Sequence, residues 1–92
     1  MGIIQSATFE ASNGERVAGY VFLNPDKTYG GWVASTASIG VNVFIAEGTV
    51  VCPSAVIEDN CVIDEGCFIG EGARVPKGTK MESGEIYLLD SA

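Results

Sequence analysis

Aliphatic residues recur at every sixth position through the centre of the chain. From Val33 to Met81 the series runs without a slip, through Val33, Ile39, Ile45, Val51, Ile57, Ile63, Ile69, Val75 and Met81. A fixed short period of this kind is the sequence signature of a solenoid, in which equivalent residues of successive repeats stack on one another. The spacing therefore predicts a repeat architecture with the aliphatic side chains inside.

Two further registers describe the shape of each hexad. The position two places before the next aliphatic residue is small in most hexads, as in Ala55, Cys61 and Ala73, and two inward positions two apart fit a short strand. Between them stand residues that adopt positive φ at low cost, in the series Asn42, Gly48, Asn60, Gly66, Gly72, Gly78 and Gly84. Each hexad therefore predicts one short strand followed by one corner.

These hexads resemble the hexapeptide-repeat left-handed parallel β-helix family, over residues 33–86. The resemblance implies an all-β fold in which three hexads close a triangular coil, so that residues 18 apart stack and the chain supplies three coils, at 33–50, 51–68 and 69–86. The left hand is implied by the resemblance alone, since the period does not fix it and parallel crossovers are usually right-handed. We expect a single domain with three parts, at 1–32, 33–86 and 87–92, the last adding a final strand or cap.

Residues 1–32 do not keep the period and are predicted to form an N-terminal β-hairpin with a lead-in. Asn13-Gly14 lies between two runs rich in apolar and β-branched residues, which is the strongest short-range signal for a hairpin turn. Asn24-Pro25-Asp26 predicts a second turn. An isolated hairpin is not stable in water, so this one must pack against the solenoid or against a neighbouring subunit.

One outward face of the predicted prism is apolar. The residue before each aliphatic points away from the core, and at spacing 18 these positions form an apolar column of Trp32, Val50, Phe68 and Ile86. A large apolar patch on a protein surface is usually covered. Either the hairpin docks there in cis or the face lies at the axis of a homotrimer, the assembly that the resemblance implies. We expect the trimer, and both arrangements hold together if the hairpin of one subunit lies over its neighbour.

The composition limits the classes of partner that the protein is expected to bind. The formal charge is −7 with only five Lys and Arg residues, which argues against nucleic acid as a partner, because phosphate binding needs clustered basic residues. The chain has no run of about 20 apolar residues that would span a membrane, and two of its three cysteines, Cys61 and Cys67, fall at the inward position, where free thiols pack as small hydrophobes. We expect a bacterial, cytoplasmic protein. The Gly2 myristoylation pattern is better explained by the start of a strand.

The resemblance also implies an activity, because many hexapeptide-repeat proteins transfer acyl groups from coenzyme A. The usual base in such enzymes is a histidine, and this chain contains none. The nine hexads also run without an inserted loop. Cys52 is the one cysteine outside the predicted core, and no activating neighbour is evident, so it is interpreted as a packing residue.

A cation is the remaining chemical candidate. Successive corners at one edge of the predicted coils place four carboxylates together. Such a group could bind Ca²⁺, which takes six to eight oxygen ligands. The alternative is an acidic edge whose carboxylates are simply solvated. These carboxylates are Glu47, Asp64, Glu65 and Glu82.

The sequence therefore favours a non-catalytic structural or interaction module, built as a homotrimeric β-helix with no cofactor. The alternatives are a protein that binds a small molecule or a divalent cation in clefts between subunits, and a minimal acyltransferase.

Overall fold

The computed structural model describes residues 6–10 and 16–89, with side chains described for 16–89. All regular elements in these ranges are strands. The first three are the longest: β1 Ser6–Glu10, β2 Arg16–Leu23 and β3 Tyr29–Ala34. Nine two-residue strands follow, β4 Ser38–Ile39, β5 Phe44–Ile45, β6 Val50–Val51, β7 Val56–Ile57, β8 Val62–Ile63, β9 Phe68–Ile69, β10 Arg74–Val75, β11 Lys80–Met81 and β12 Ile86–Tyr87.

The short strands stack into parallel sheets at a register of 18 residues. One sheet has the order β1-β2-β3-β6-β9-β12, and two three-stranded sheets have the orders β4-β7-β10 and β5-β8-β11. Val51 pairs with Ile69, for example, and Ile45 pairs with Ile63. The predicted solenoid of about three coils is thereby confirmed. Its hand stays an expectation from the resemblance.

The aliphatic series forms the core. All its members except Ile39 are buried, and Ile39 packs against the core from a partly buried position near the N-terminal end. Full burial of such a side chain is worth about 1.5–3 kcal/mol relative to exposure. Because consecutive coils repeat the same inward position, the core is a stack of aliphatic layers.

The inward small positions also link one coil to the next by hydrogen bonds. Thr49 donates its hydroxyl hydrogen to the carbonyl oxygen of Asp64 at 2.8 Å. The thiols of Cys61 and Cys67 approach the carbonyl oxygens of Pro76 and Glu82 at 3.1 and 3.0 Å. All three cysteines are free, which agrees with the prediction that Cys61 and Cys67 are core thiols.

Positive φ angles mark the corners. Asn42 and Asn60 have φ of 57° and 61°, and the predicted glycines from Gly48 to Gly84 lie between 67° and 83°. Ser54 occupies the same register with φ 63°, a position that the sequence pattern missed because serine is not typical of it. Its N–H is held by the hydroxyl of Thr36 at 3.1 Å.

The N-terminal strands extend the solenoid at its edge. β1 pairs antiparallel with β2, as the hairpin prediction requires, although the predicted Asn13-Gly14 turn lies outside the described residues, as does Gly2. β2 pairs antiparallel with β3, with Tyr20 opposite Val33. Tyr20 and Phe22 pack against the core at its N-terminal end. β2 therefore joins the six-stranded sheet edge to edge, so in residues 6–10 and 16–89 the hairpin strands extend this sheet and do not lie on the outward face of β6, β9 and β12. This arrangement differs from the alternative in which the hairpin docks on that face in cis.

Two glycines let the lead-in cross the first coil. A Cβ added to Gly30 would lie 1.6 Å from the carbonyl oxygen of Ile45, and one added to Gly31 would lie 2.4 Å from that of Thr49. Real side chains do not tolerate such distances, so only glycine fits at both positions.

Candidate functional site

The apolar column runs in register down the outward face of the six-stranded sheet. Trp32 pairs with Val50, Val50 with Phe68, and Phe68 with Ile86. Val21 of β2 lies opposite Trp32 and adds one more apolar residue in line. The structure therefore brings the four predicted interface residues together on one face.

Exposure increases along the column towards the C-terminal end. Trp32 and Val50 are partly buried, whereas Phe68 is 39% and Ile86 66% exposed. At the N-terminal end of the column, β2 reduces the exposure of Trp32. The Trp32 ring lies directly over Gly19 of β2, where an added Cβ would come within 2.4 Å of Trp32 Cζ2. Gly19 belongs to no sequence motif, so this contact could not be predicted from the pattern of residues.

A second row lies beside the column, at the outward position that follows each aliphatic residue. Ala34 and Gly70 are buried, Cys52 is partly buried and Leu88 is exposed. The Leu88 side chain rests on Gly70, since a Cβ there would lie 2.9 Å from Leu88 Cδ2. These residues widen the apolar face without adding a charge.

The other two faces are mixed in character. Ser38, Val56 and Arg74 are in register on one, and Phe44, Val62 and Lys80 on the other. Arg74 forms an ion pair with Glu58 on the surface. Charged residues therefore interrupt both of these faces, which distinguishes them from the apolar column.

The chemistry of Cys52 is unfavourable for nucleophilic catalysis. Burial raises the pKa of the Cys52 thiol, and the negative charge of Glu71 raises it further. A nucleophilic cysteine needs the opposite shift, because the thiolate is the reactive form. The interpretation of Cys52 as a packing residue on the apolar face agrees with this environment.

The acidic edge has no metal-binding geometry in the described part of the chain. There, no three side chains of the types His, Cys, Asp and Glu lie close enough together to hold an ion. Asp64 instead accepts a hydrogen bond from the N–H of Glu65 at 2.7 Å. The cation site at Glu47, Asp64, Glu65 and Glu82 stays a prediction.

Comparison with known protein families supplies one match. Residues 42–77 match the family model described as bacterial transferase hexapeptide (six repeats). The match agrees with the observed stack of about three coils. The repeat region fits the hexapeptide-repeat parallel β-helix superfamily. The hexapeptide repeats of this chain extend beyond the matched segment at both ends, since β3 and β12 keep the same register.

Other comparisons add nothing to that assignment. No curated protein and no solved structure matches the chain.

In residues 6–10 and 16–89 no helix has the length and apolar character that crossing a membrane requires.

Proposed function

We propose that this hexapeptide-repeat protein is a non-catalytic structural or interaction module that assembles as a homotrimer through the apolar column. The observation that carries the proposal is the exposure of Phe68 and Ile86 on a face that the N-terminal strands do not cover. Exposed aromatic and aliphatic side chains in one continuous row mark an association surface. Three copies with this face at a common axis bury it in a closed assembly.

Several features of the chain support a non-catalytic role. It contains no histidine, and the only cysteine outside the core has a raised pKa. General acid–base catalysis near neutral pH needs a group that titrates there. A rigid stack of short strands, by contrast, is well suited to hold subunits or partners at fixed distances.

The assembly is tested by placing a charge in the column. Phe68→Asp buries an unpaired carboxylate at the proposed axis, at a cost of several kcal/mol, and is expected to separate the three subunits that meet there. Val62→Asp is the matched control, because Val62 is 41% exposed, lies in the same coil and has the same hexad position on another face. Native mass spectrometry reads the subunit count of each. A wild-type monomer, or trimers that survive Phe68→Asp, would refute the proposal.

Acyl transfer is the competing function, since the matched family model carries a transferase description. Calorimetric titration of the wild-type protein with coenzyme A at millimolar concentration separates the two. We expect no binding. A saturating heat of binding would favour the transferase function. In native mass spectrometry, an additional mass retained by the intact assembly would instead favour a protein that binds a ligand between subunits.

A further inference from the structure

The C-terminal end of the solenoid exposes strand edges. Each coil of the six-stranded sheet donates N–H groups to the coil that follows, as Phe68 does to Glu85 at 2.9 Å and Gly70 to Tyr87 at 2.8 Å. Ile86 and Leu88 stand 18 residues further on, so their N–H groups point away from β9 by the same register. Among the described residues no strand pairs with this edge.

The neighbouring edge, that of β10, is blocked against pairing. In the preceding coil, the N–H groups of Val56 and Glu58 donate to the carbonyl oxygens of Ala73 and Val75. Their equivalents 18 residues on are Arg74 and Pro76. Proline has no N–H to donate, and a charged side chain on an edge strand opposes pairing with another strand. β10 is therefore a poor template for a partner strand.

The edge of β11 is blocked in a different way. Val62 and Asp64 donate to Thr79 and Met81, and the equivalent residues are Lys80 and Glu82. The N–H of Glu82 is already bonded to Glu85 Oε1 at 2.5 Å. Lys80 adds a charge of the type that natural proteins place on exposed edges.

β12 has none of these features. Leu88 and Leu89 are 61% and 58% exposed, and with Ile86 they form an uncharged apolar strand end. A groove of about 410 Å³ runs beside it, lined by Arg74 and residues 86–89. Within residues 16–89, this is the one of the three C-terminal edges that presents unpaired N–H donors together with apolar side chains.

We propose that β12 pairs antiparallel with β12 of a second copy of this chain, about a two-fold axis at Tyr87. Ile86 of one copy then lies opposite Leu88 of the other, and the free N–H and C=O groups of both residues bond to each other in the way that antiparallel strands require. A strand that pairs with itself is self-complementary, as a two-fold contact demands.

The same register fixes the neighbours of the paired residues. Glu85 of one copy lies opposite Leu89 of the other, beside the groove that Arg74 lines.

The end contact forms through the backbone groups of the β12 edge, whereas the proposed trimer forms through the sheet face, to which the side chains of Ile86 and Leu88 also belong. With both contacts the assembly is a hexamer of two trimers end to end. With the end contact alone it is a dimer. Phe68→Asp reports on the sheet face and the exchange of the Ile86 and Leu88 amides reports on the strand edge, so failure of one proposal can be distinguished from failure of the other.

Leu88→Lys tests the end contact. The lysine stem keeps the packing on Gly70 while its charge opposes a second copy, so native mass spectrometry is expected to show half the wild-type subunit count. Leu23→Lys is the control, because Leu23 is 46% exposed at the β2 end of the same sheet. An equal subunit count in the wild type and Leu88→Lys would overturn the proposal.

Amide hydrogen exchange of the wild-type protein gives a second test that does not depend on a folded variant. The N–H groups of Ile86 and Leu88 are expected to be protected at high protein concentration and to exchange faster on dilution. Lys80 is an internal control, since its N–H holds the equivalent position on the edge of β11. Rapid exchange of Ile86 and Leu88 at every concentration would overturn the proposal.

Discussion

The side-chain amide of Asn24 forms two hydrogen bonds with the backbone of Ile45. Its Oδ1 accepts from the Ile45 N–H at 2.8 Å, and its Nδ2 donates to the Ile45 carbonyl oxygen at 3.0 Å. Ile45 lies in β5, at the N-terminal edge of the β5-β8-β11 sheet. The amide therefore takes the place of a strand and closes this edge, as β2 closes the edge of β3.

Asn24→Ala is expected to destabilise the fold by about 2–6 kcal/mol. Asn24 is only 3% exposed, so its removal leaves a buried N–H and a buried carbonyl of Ile45 without partners, at about 1–3 kcal/mol each. Urea denaturation measures the loss. Asn60→Gly is the control, since it removes an exposed amide contact with Asn42 and keeps a residue that tolerates positive φ, so a change within about 0.5 kcal/mol is expected. Equal losses for the two variants would contradict the capping role.

Gly30→Ala and Gly78→Asn are expected to differ sharply although both replace glycine. At Gly30 the new Cβ meets the Ile45 carbonyl, so the lead-in must move away from the first coil and the protein is expected to unfold at a much lower temperature. At Gly78 a Cβ meets nothing within 4 Å, and φ of 76° suits asparagine. Gly78→Asn continues the row of Asn42 and Asn60, and we expect its melting temperature to stay near that of the wild type. A tolerant Gly30→Ala variant would show that the lead-in is not tightly packed.

The repeat itself was predictable from the sequence because its signals are local. A buried side chain at every sixth position and a residue that tolerates positive φ at the corner are each required within one hexad, so the core and most corners followed directly. The stacking of Trp32 with Val50 followed from the same period.

Contacts that depend on the path of the chain outside the repeat were not predictable. The sequence predicts Asn24 as a turn residue, and its carbonyl oxygen does accept from the Lys27 N–H, but its side-chain amide reaches a strand 21 residues away. The contact of Gly19 with Trp32 likewise requires β2 to join the sheet at its edge. Hairpin and solenoid patterns each predict their own element and carry no information on how the two meet.

A calcium titration decides the cation hypothesis. An ion bound at the acidic edge stabilises the folded state and raises its melting temperature, and the double variant Asp64→Asn, Glu65→Gln is expected to lose that rise. Identical melting curves in calcium and in a chelator would end the hypothesis.

Alkylation should detect the raised pKa of Cys52. Because the thiolate reacts with iodoacetamide, the reaction rate of Cys52 is expected to rise with pH around a midpoint above that of a free cysteine. Glu71→Gln removes a negative charge that raises this pKa, so its midpoint is expected to shift to lower pH. Glu47→Gln, at another corner, serves as the control with no shift. A Glu71→Gln profile identical to that of the wild type would exclude the electrostatic contribution.

The pair of Glu58 and Arg74 makes stability depend on pH in the acid range. The hydrogen bond from Arg74, followed by that from the Lys77 N–H, lowers the pKa of Glu58 below its usual value of 4.5. A carboxyl whose folded-state pKa is depressed contributes stability above the unfolded-state pKa and loses it as the pH falls through the folded-state value. The melting temperature of wild type minus that of Glu58→Gln is therefore expected to be positive and constant near pH 6 and to shrink below about pH 4.5. Both side chains are solvent-accessible, so the difference is expected to be small and to decrease with added salt.

Arg74→Gln removes the main cause of the pKa shift of Glu58. In that background, Glu58→Gln is expected to change the melting temperature with a weaker dependence on pH. An unchanged dependence would assign the effect to the backbone N–H of Lys77 instead.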